Sequence, residues 1–348
     1  MSPTFLSICD PTKYSKPPLD VPTFYQRLSR DPRLNFCHIP VSNVFRAART
    51  LPKIEVATSA GTLPYDAFVA LGKRASEVKH LANIDLVFCR TLKPFPPGYL
   101  DELSRWEQWT RFVNCPKTKK EQIRPDFLVK VARDFIPDAL VTSNWQEAQA
   151  FFERHQVIVA KQVNSCGGRG VYKIWYEQGQ FHVDNLLAGP QTFATFAQLM
   201  GHLQQASHPL QLHRYLHRVH AGDKRVVVVD GEIYGSYLRR SKGGHWVNNV
   251  SGDGECTLAE ITADEISAIE HTVEAYRRRG LHTLGYDFLM DDDGSWRISE
   301  INAGNIGGFA RLELLTGRPV MNRLIDWMIA FSQRPIASGD ATALPEAS

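Results

Sequence analysis

Residues 285–302 read GYDFLMDDDGSWRISEIN, two strand-like segments separated by Asp293-Gly294, a dipeptide suited to a two-residue hairpin turn. With the turn placed there, Asp287 lies directly opposite Glu300. Like charges facing each other weaken a strand pair, so their juxtaposition points to a cation held between the two carboxylates. Asn302, two residues beyond Glu300, projects from the same face of its strand. Two carboxylates and an amide oxygen are hard ligands of the kind Mg²⁺ takes while keeping positions for water and phosphate. A solvated hairpin is the competing reading, because a register slip of one residue would separate the pair. Asp291 and Asp292, beside the turn, are read as solvating residues only.

Upstream, a second hairpin signal, Asp230-Gly231, stands between strand-like residues 225–229 and 232–238. Asp223, Lys224 and Arg225 open the first of these strands. They form either a solvated strand end or, because Arg225 alternates with the apolar Val227 and Val229, a charged face turned toward a ligand. Earlier still, residues 157–160 lead through Lys161 into a glycine-bearing loop at 164–170 (NSCGGRG), and a further strand covers 171–176. Backbone N–H groups around Gly167, Gly168 and Gly170 could close over phosphate oxygens while Lys161 meets them as a point charge. An ordinary glycine-rich turn is the alternative, and the G-K-[ST] ending of a P-loop is missing.

Capping boxes at Ser143/Gln146 and Thr262/Glu265 open two helices. Trp145, Ala148, Phe151 and Phe152 mark the inner face of the first, and Ile266, Ile269, Val273 and Tyr276 that of the second, which Gly280 stops. Residues 5–9 and 85–89 read as buried parallel strands whose C-terminal loops are where an open α/β sheet binds ligands. Arg90, ending the second strand, suits either bidentate capture of a carboxylate or a surface ion pair. His213, His217 and His220 have a helix-like spacing, but the strand pattern around them and the lack of an acidic ligand argue against zinc.

The chain has 348 residues, 40 basic and 37 acidic side chains for a formal charge of +3, 43% hydrophobic residues and 22% charged ones. Such proportions predict a globular protein of two or three domains and exclude a disordered chain. No apolar run of about 18 residues and no signal-peptide pattern occur, so no membrane partner or secretory route is expected. Six cysteines with no C-x-x-C pair fit a reducing cytoplasm. The three arginines at 277–279 are the only tight cationic run, so no nucleic-acid partner is expected.

Taken together, residues 160–174 (AKQVNSCGGRGVYKI), 213–216 (HRYL) with 221–231 (AGDKRVVVVDG), and 285–287 (GYD) with 299–302 (SEIN) resemble the prokaryotic glutathione synthetases of the ATP-grasp superfamily. Residues 85–95, 114–116 and 137–144 are similar to that family's preceding segments. The resemblance implies an α/β (α+β) ATP-grasp fold behind a Rossmann-like N-terminal domain. The expected division is 1–125 for that domain, 126–210 for a small subdomain with a glycine-rich lid loop, 211–335 for the subdomain with the metal site, and 336–348 for a disordered tail. By the same resemblance Lys161 contacts the nucleotide phosphates, and Asn164, Gly167, Gly168 and Gly170 belong to the loop above them. Arg214, Tyr215 and Leu216 receive adenine through backbone groups, Asp223 holds the ribose beside Lys224, and Arg225 reaches the transferred phosphoryl group. Asp287, Glu300 and Asn302 bind two Mg²⁺ ions, with Mn²⁺ as the alternative. Arg239 and Asn249 keep the family's acyl-substrate positions, Arg90 meets a donor carboxylate, and Gly307 and Gly308 offer N–H groups to an oxyanion.

Three segments depart from the family pattern. Arg124 and Pro125 stand near the place of the family's second phosphate-contacting lysine, and Val247-Asn248-Asn249 replaces an Arg-Gly-Asn sequence. Residues 303–309 (AGNIGGF) likewise replace a Ser/Thr/Pro-containing turn. The activity implied is an ATP-dependent carboxylate–amine ligase joining γ-glutamylcysteine to glycine through an acyl phosphate, in a cytoplasmic homo-oligomer. A ligase for another acid and amine, an ATP-grasp phosphotransferase and a non-catalytic nucleotide-binding module are the competing expectations.

Overall fold

The structure, a computed structural model, describes residues 2–15, 20–47, 53–74, 76–163, 165, 168–204, 208–248 and 254–334. Asn164, Gly167, Asn249 and the tail 336–348, for which the sequence raised expectations, lie outside the described residues. Short apolar runs near the N-terminus build a sheet of β1 (Thr4–Ile8), β2 (Asn35–Ile39), β3 (Lys53–Ser59), β4 (Glu77–His80) and β5 (Leu86–Cys89), in the order β4-β3-β2-β1-β5. Its middle, β2-β1-β5, is parallel, as the buried runs at 5–9 and 85–89 lead one to expect, whereas β3 and β4 run antiparallel at one side.

A second sheet contains β6 (Ala139–Thr142), β7 (Ile158–Lys161), β8 (Val171–Glu177), β9 (Gln180–Asn185), β10 (Gln191–Phe193) and β11 (Leu210–Arg214), ordered β10-β9-β8-β7-β11-β6. The expected boundary after residue 210 therefore cuts through a strand: β11 pairs with both β6 and β7 and belongs to this sheet. Phe151 and Phe152 of the helix Trp145–His155, with Phe196, Leu199 and Met200 of the helix Phe196–Leu203, bury one face of the sheet. The cap of the first helix is Asn144, whose Oδ1 accepts the Gln146 N–H at 2.8 Å, not Ser143 as the spacing suggested, and Trp145 faces solvent.

The third sheet, β12 (Asp223–Val229), β13 (Glu232–Arg240), β14 (Glu255–Leu258), β15 (Thr283–Met290) and β16 (Trp296–Asn302), is ordered β14-β13-β12-β15-β16. Asp230 and Gly231 both have positive φ, 51° and 91°, the geometry a two-residue hairpin turn needs. The period of two then sorts β12: Val226 and Val228 pack toward the helix Ala263–Arg277, while Val227 and Val229 join a core shared with the first sheet and the helices Phe309–Thr316 and Val320–Ser332. The C-terminal helices thus seal the third sheet against the first. No helix among the described residues is long and apolar enough to cross a membrane.

Candidate active site

The β15–β16 hairpin places its acidic pair by a route the sequence did not reveal. The turn is wider than two residues: the Asp291 N–H donates to the Ser295 carbonyl at 2.8 Å and the Gly294 N–H to the Asp291 carbonyl at 3.0 Å. That alone would move the register by one. A bulge between Asp287 and Phe288 restores it, so Asp287 still pairs with Glu300, and Gly285 with Asn302. Phe288, Tyr286, Ile298 and Ile301 enter the core beneath, leaving Asp287, Glu300 and Asn302 on the opposite face.

On that face β12 and β13 add cations. Arg225 is the register partner of Asp287, and Arg239 that of Asp223. The Arg225 guanidinium donates from Nε to Asp287 Oδ1 at 2.5 Å and from its second terminal nitrogen to Oδ2 at 2.8 Å, a bidentate pair. Arg239 donates at 2.7 Å to both Asp223 and Asp287, and the Asn302 amide donates to Asp287 at 3.1 Å. Burial opposes charge on Asp287, but Arg225 and Arg239 outweigh it and hold the carboxyl below its ordinary range. Asp223 goes the other way: burial, countered by Arg239 and reinforced by Asp287, pushes it up to about 6. Asp223 Oδ1 and Arg239 Nε are buried without a hydrogen-bond partner among the described residues.

Lys161, ending β7, reaches across from the second sheet and donates to the Ser299 carbonyl at 2.7 Å. Burial lowers its pKa, and the charges of Glu300, Asp287 and Asp223 oppose that effect, so the ammonium sits among the acids of the third sheet. Of the loop after β7, Gly168 has φ +75° and Gly170 lies so close to Ser165 that a Cβ would fall 2.5 Å from its Oγ. At the connection after β11, the Tyr215 N–H donates to the Val157 carbonyl, and Arg214 is clamped by Asp291 at 2.7 and 2.9 Å. Asp291 and Asp292 are therefore not mere solvating residues: they lock the hairpin tip to residues 214–217, with Asp292 accepting the His217 N–H at 2.9 Å.

Expectations for Lys224, Gly307, Gly308 and Arg90 need correction. Lys224 does not reach the nucleotide side, because alternation turns it to the face of Val226 and Val228, where it pairs with Glu265 at 2.7 Å and lies 4.0 Å from the Trp296 ring centroid. Glu265 there also completes the expected capping box with Thr262. The Gly308 N–H is not open to an oxyanion, since Asp20 accepts it at 2.7 Å and the Ala310 N–H at 2.8 Å, capping the helix Phe309–Thr316 from another part of the chain. Gly307 contributes its carbonyl, which accepts from Arg225 at 3.1 Å. Arg90 is no surface ion pair: it is 2% exposed, donates to the Ile306 carbonyl at 2.8 Å, and keeps Nε and one terminal nitrogen unpartnered. Asp20 and Lys119 are the buried or site-facing charges that no sequence pattern marked, the latter because it lies in the polar run at 117–122 (KTKKEQ).

The donor set suits a hard divalent cation. Two in-register carboxylates and the neighbouring Asn302 supply oxygen ligands, although Asp287 is engaged here by two arginines, and no group of three His, Cys, Asp or Glu among the described residues is gathered as a ready cage. Such a partial protein set is what a metal shared with phosphate requires.

Two sheets meeting at Lys161, with acids and arginines of the third sheet gathered beside it, are the arrangement of the ATP-grasp class. A family model described as the prokaryotic glutathione synthetase ATP-grasp domain matches residues 127–317, and the chain belongs to that family, whose members are ATP-dependent C–N ligases. The glutathione synthetase of Mesorhizobium japonicum is 25% identical over 71% of this chain and 73% of its own length. Among solved structures, D-cycloserine synthetase DcsG aligns with a TM-score of 0.61 at 11% identity over 94% of this chain and 99% of that one. D-alanyl-alanine synthetase A from Vibrio cholerae aligns at 0.58 and 12% identity over 95% and 99%.

Proposed function

We propose that the protein joins γ-glutamylcysteine to glycine with conversion of ATP to ADP and phosphate. The observation that supports this most is the convergence of Lys161, Arg225 and Arg239 on Asp287, Glu300 and Asn302, immediately before the loop at 303–308. A donor carboxylate oxygen attacks the γ-phosphorus, the bond to the β–γ bridging oxygen breaks, and ADP leaves. Lys161 and Arg225 neutralise the oxygens of the phosphoryl group in flight. The glycine nitrogen then attacks the acyl carbon, phosphate is expelled, and the amine proton is released.

Asp287, Glu300 and Asn302 hold the divalent metal, two Mg²⁺ ions or Mn²⁺ in their place, which supplies charge neutralisation for the phosphates. Arg225 and Arg239 have a double task. Without ligands they compensate Asp287, and with ligands bound they turn their free hydrogen-bonding capacity to phosphate and acyl oxygens. Arg90, with two guanidinium nitrogens that have no partner among the described residues, meets a second carboxylate of the donor.

ADP release measured with each substrate omitted in turn tests this reading. Sustained release requires both γ-glutamylcysteine and glycine. Release that ignores both acids contradicts it.

A further inference from the structure

Lys119 is 6% exposed on the helix Pro116–Gln122, yet among the described residues it has no carboxylate within ion-pair distance. Its ammonium donates to Gln122 Oε1 at 2.5 Å, and the Gln122 amide is oriented by its own donation to the Ile301 carbonyl at 2.9 Å. An ammonium carries three donors, of which Gln122 takes one, and a buried ammonium without an opposite charge costs several kcal/mol, so the position suits an anion. The backbone makes room for the ammonium: a Cβ on Gly304 would lie 3.2 Å from Lys119 Cε and 3.3 Å from Nζ. Burial drives the pKa of Lys119 well down, Lys93 adds to that, and Glu300 opposes it, which puts the ammonium within the field of the metal-binding strand.

Lys119 borders a narrow cleft, open to solvent, whose wall on one side is Ala303, Gly304 and Asn305, the three residues after Asn302. The other side is mainly apolar, formed by Phe88, Phe95, Tyr99, Leu100 and Leu103, with Thr91 and Asn114 as neutral polar residues and no carboxylate in the lining. Phe95 stacks on Tyr99 at 5.5 Å, and the Tyr99 hydroxyl is bonded to Thr91 at 2.6 Å, so the ring meets the cleft as an apolar surface. A charged side chain entering there would find no partner on that wall, and an apolar one would be desolvated at no such cost.

Resting on the acyl-donor reading above, we propose that this cleft takes the side chain of the donor residue whose carboxylate is activated, that Lys119 binds that carboxylate, and that donors with an apolar side chain at that residue are selected. Cysteine and aliphatic residues meet this requirement, and acidic residues fail it.

The test is calorimetric titration of the full chain, saturated with Mg²⁺ and a non-hydrolysable ATP analogue, with γ-glutamylleucine and with γ-glutamylaspartate. The expected result is at least tenfold tighter binding of the leucine dipeptide. Lys119→Met is expected to weaken that binding tenfold or more while its melting temperature stays at or above the wild-type value, because a desolvated charge is removed; the exposed Lys117→Met variant is expected to bind as wild type. Equal affinity for the two dipeptides, binding of neither, or undiminished affinity in Lys119→Met would overturn the proposal. ADP release in the same samples is a separate readout. Selective, Lys119-dependent binding without ADP release would leave the pocket standing and remove the ligase reading instead.

Discussion

At the scale of single residues, the site is a charge balance in which each acid has a different duty. Asp287 is held ionised by Arg225 and Arg239, so its removal would strand two buried guanidiniums and disturb the fold. Glu300 makes no such pair and is the cleaner probe. Glu300→Gln is expected to lower turnover by about 10²-fold or more with an unchanged melting temperature, because the carboxylate proposed to hold the metal is neutralised at nearly constant shape. Steady-state ADP production and thermal unfolding check both halves. Lys224 gives the opposite pattern. It forms a buried pair with Glu265, so Lys224→Met is expected to cost about 3–5 kcal/mol of stability while leaving the affinity for ATP analogues unchanged.

At the scale of elements, the hairpin and the loop after it fix where the chemistry can happen. Gly308 has φ +125°, and a Cβ there would lie 2.9 Å from Val227 Cγ2 and 3.0 Å from the Tyr237 hydroxyl. Gly308→Ala is therefore expected to destabilise the protein by about 1–3 kcal/mol and to raise the KM for the acyl donor, which denaturant unfolding and initial rates would reveal. Much of this level was legible beforehand. Asp-Gly at 230–231 located one turn correctly, and the period of two located the inward face of β12 from Arg225, Val227 and Val229. Alternation also contained the answer for Lys224, whose parity is that of Val226, but adjacency to Asp223 and Arg225 concealed it. The wide turn at 291–295 and the bulge beside Asp287 left no separate sequence signal, since their shifts cancel. Contacts distant in sequence were out of reach: Asp20 capping residues 308–310 and Arg214 gripping Asp291 depend on how the sheets dock.

At the scale of the whole molecule, stability and activity are joined because the first sheet, the third sheet and the C-terminal helices share one core. A pH dependence follows from its interior. His38, on β2, is fully buried, its Nδ1 lies 2.9 Å from the Tyr25 hydroxyl and its Nε2 has no partner. Burial lowers its pKa from 6.5 to about 4. Because the folded value is below the unfolded one, the contribution is present above pH 6.5 and is lost as pH falls toward 4, an effect on the order of 3 kcal/mol. Denaturant unfolding at pH 7 and pH 4.5 is expected to show this loss in the wild type and a smaller one in His38→Gln; identical slopes in the two proteins would contradict it.

The ligase assignment itself is tested most directly by mass spectrometry of the products formed from ATP, Mg²⁺, γ-glutamylcysteine and glycine, with ADP quantified in the same reaction. Glutathione and ADP are expected in equal amounts, both lost in Glu300→Gln. A stable phosphorylated acid without an amide, or ADP with no product containing both substrates, would contradict it.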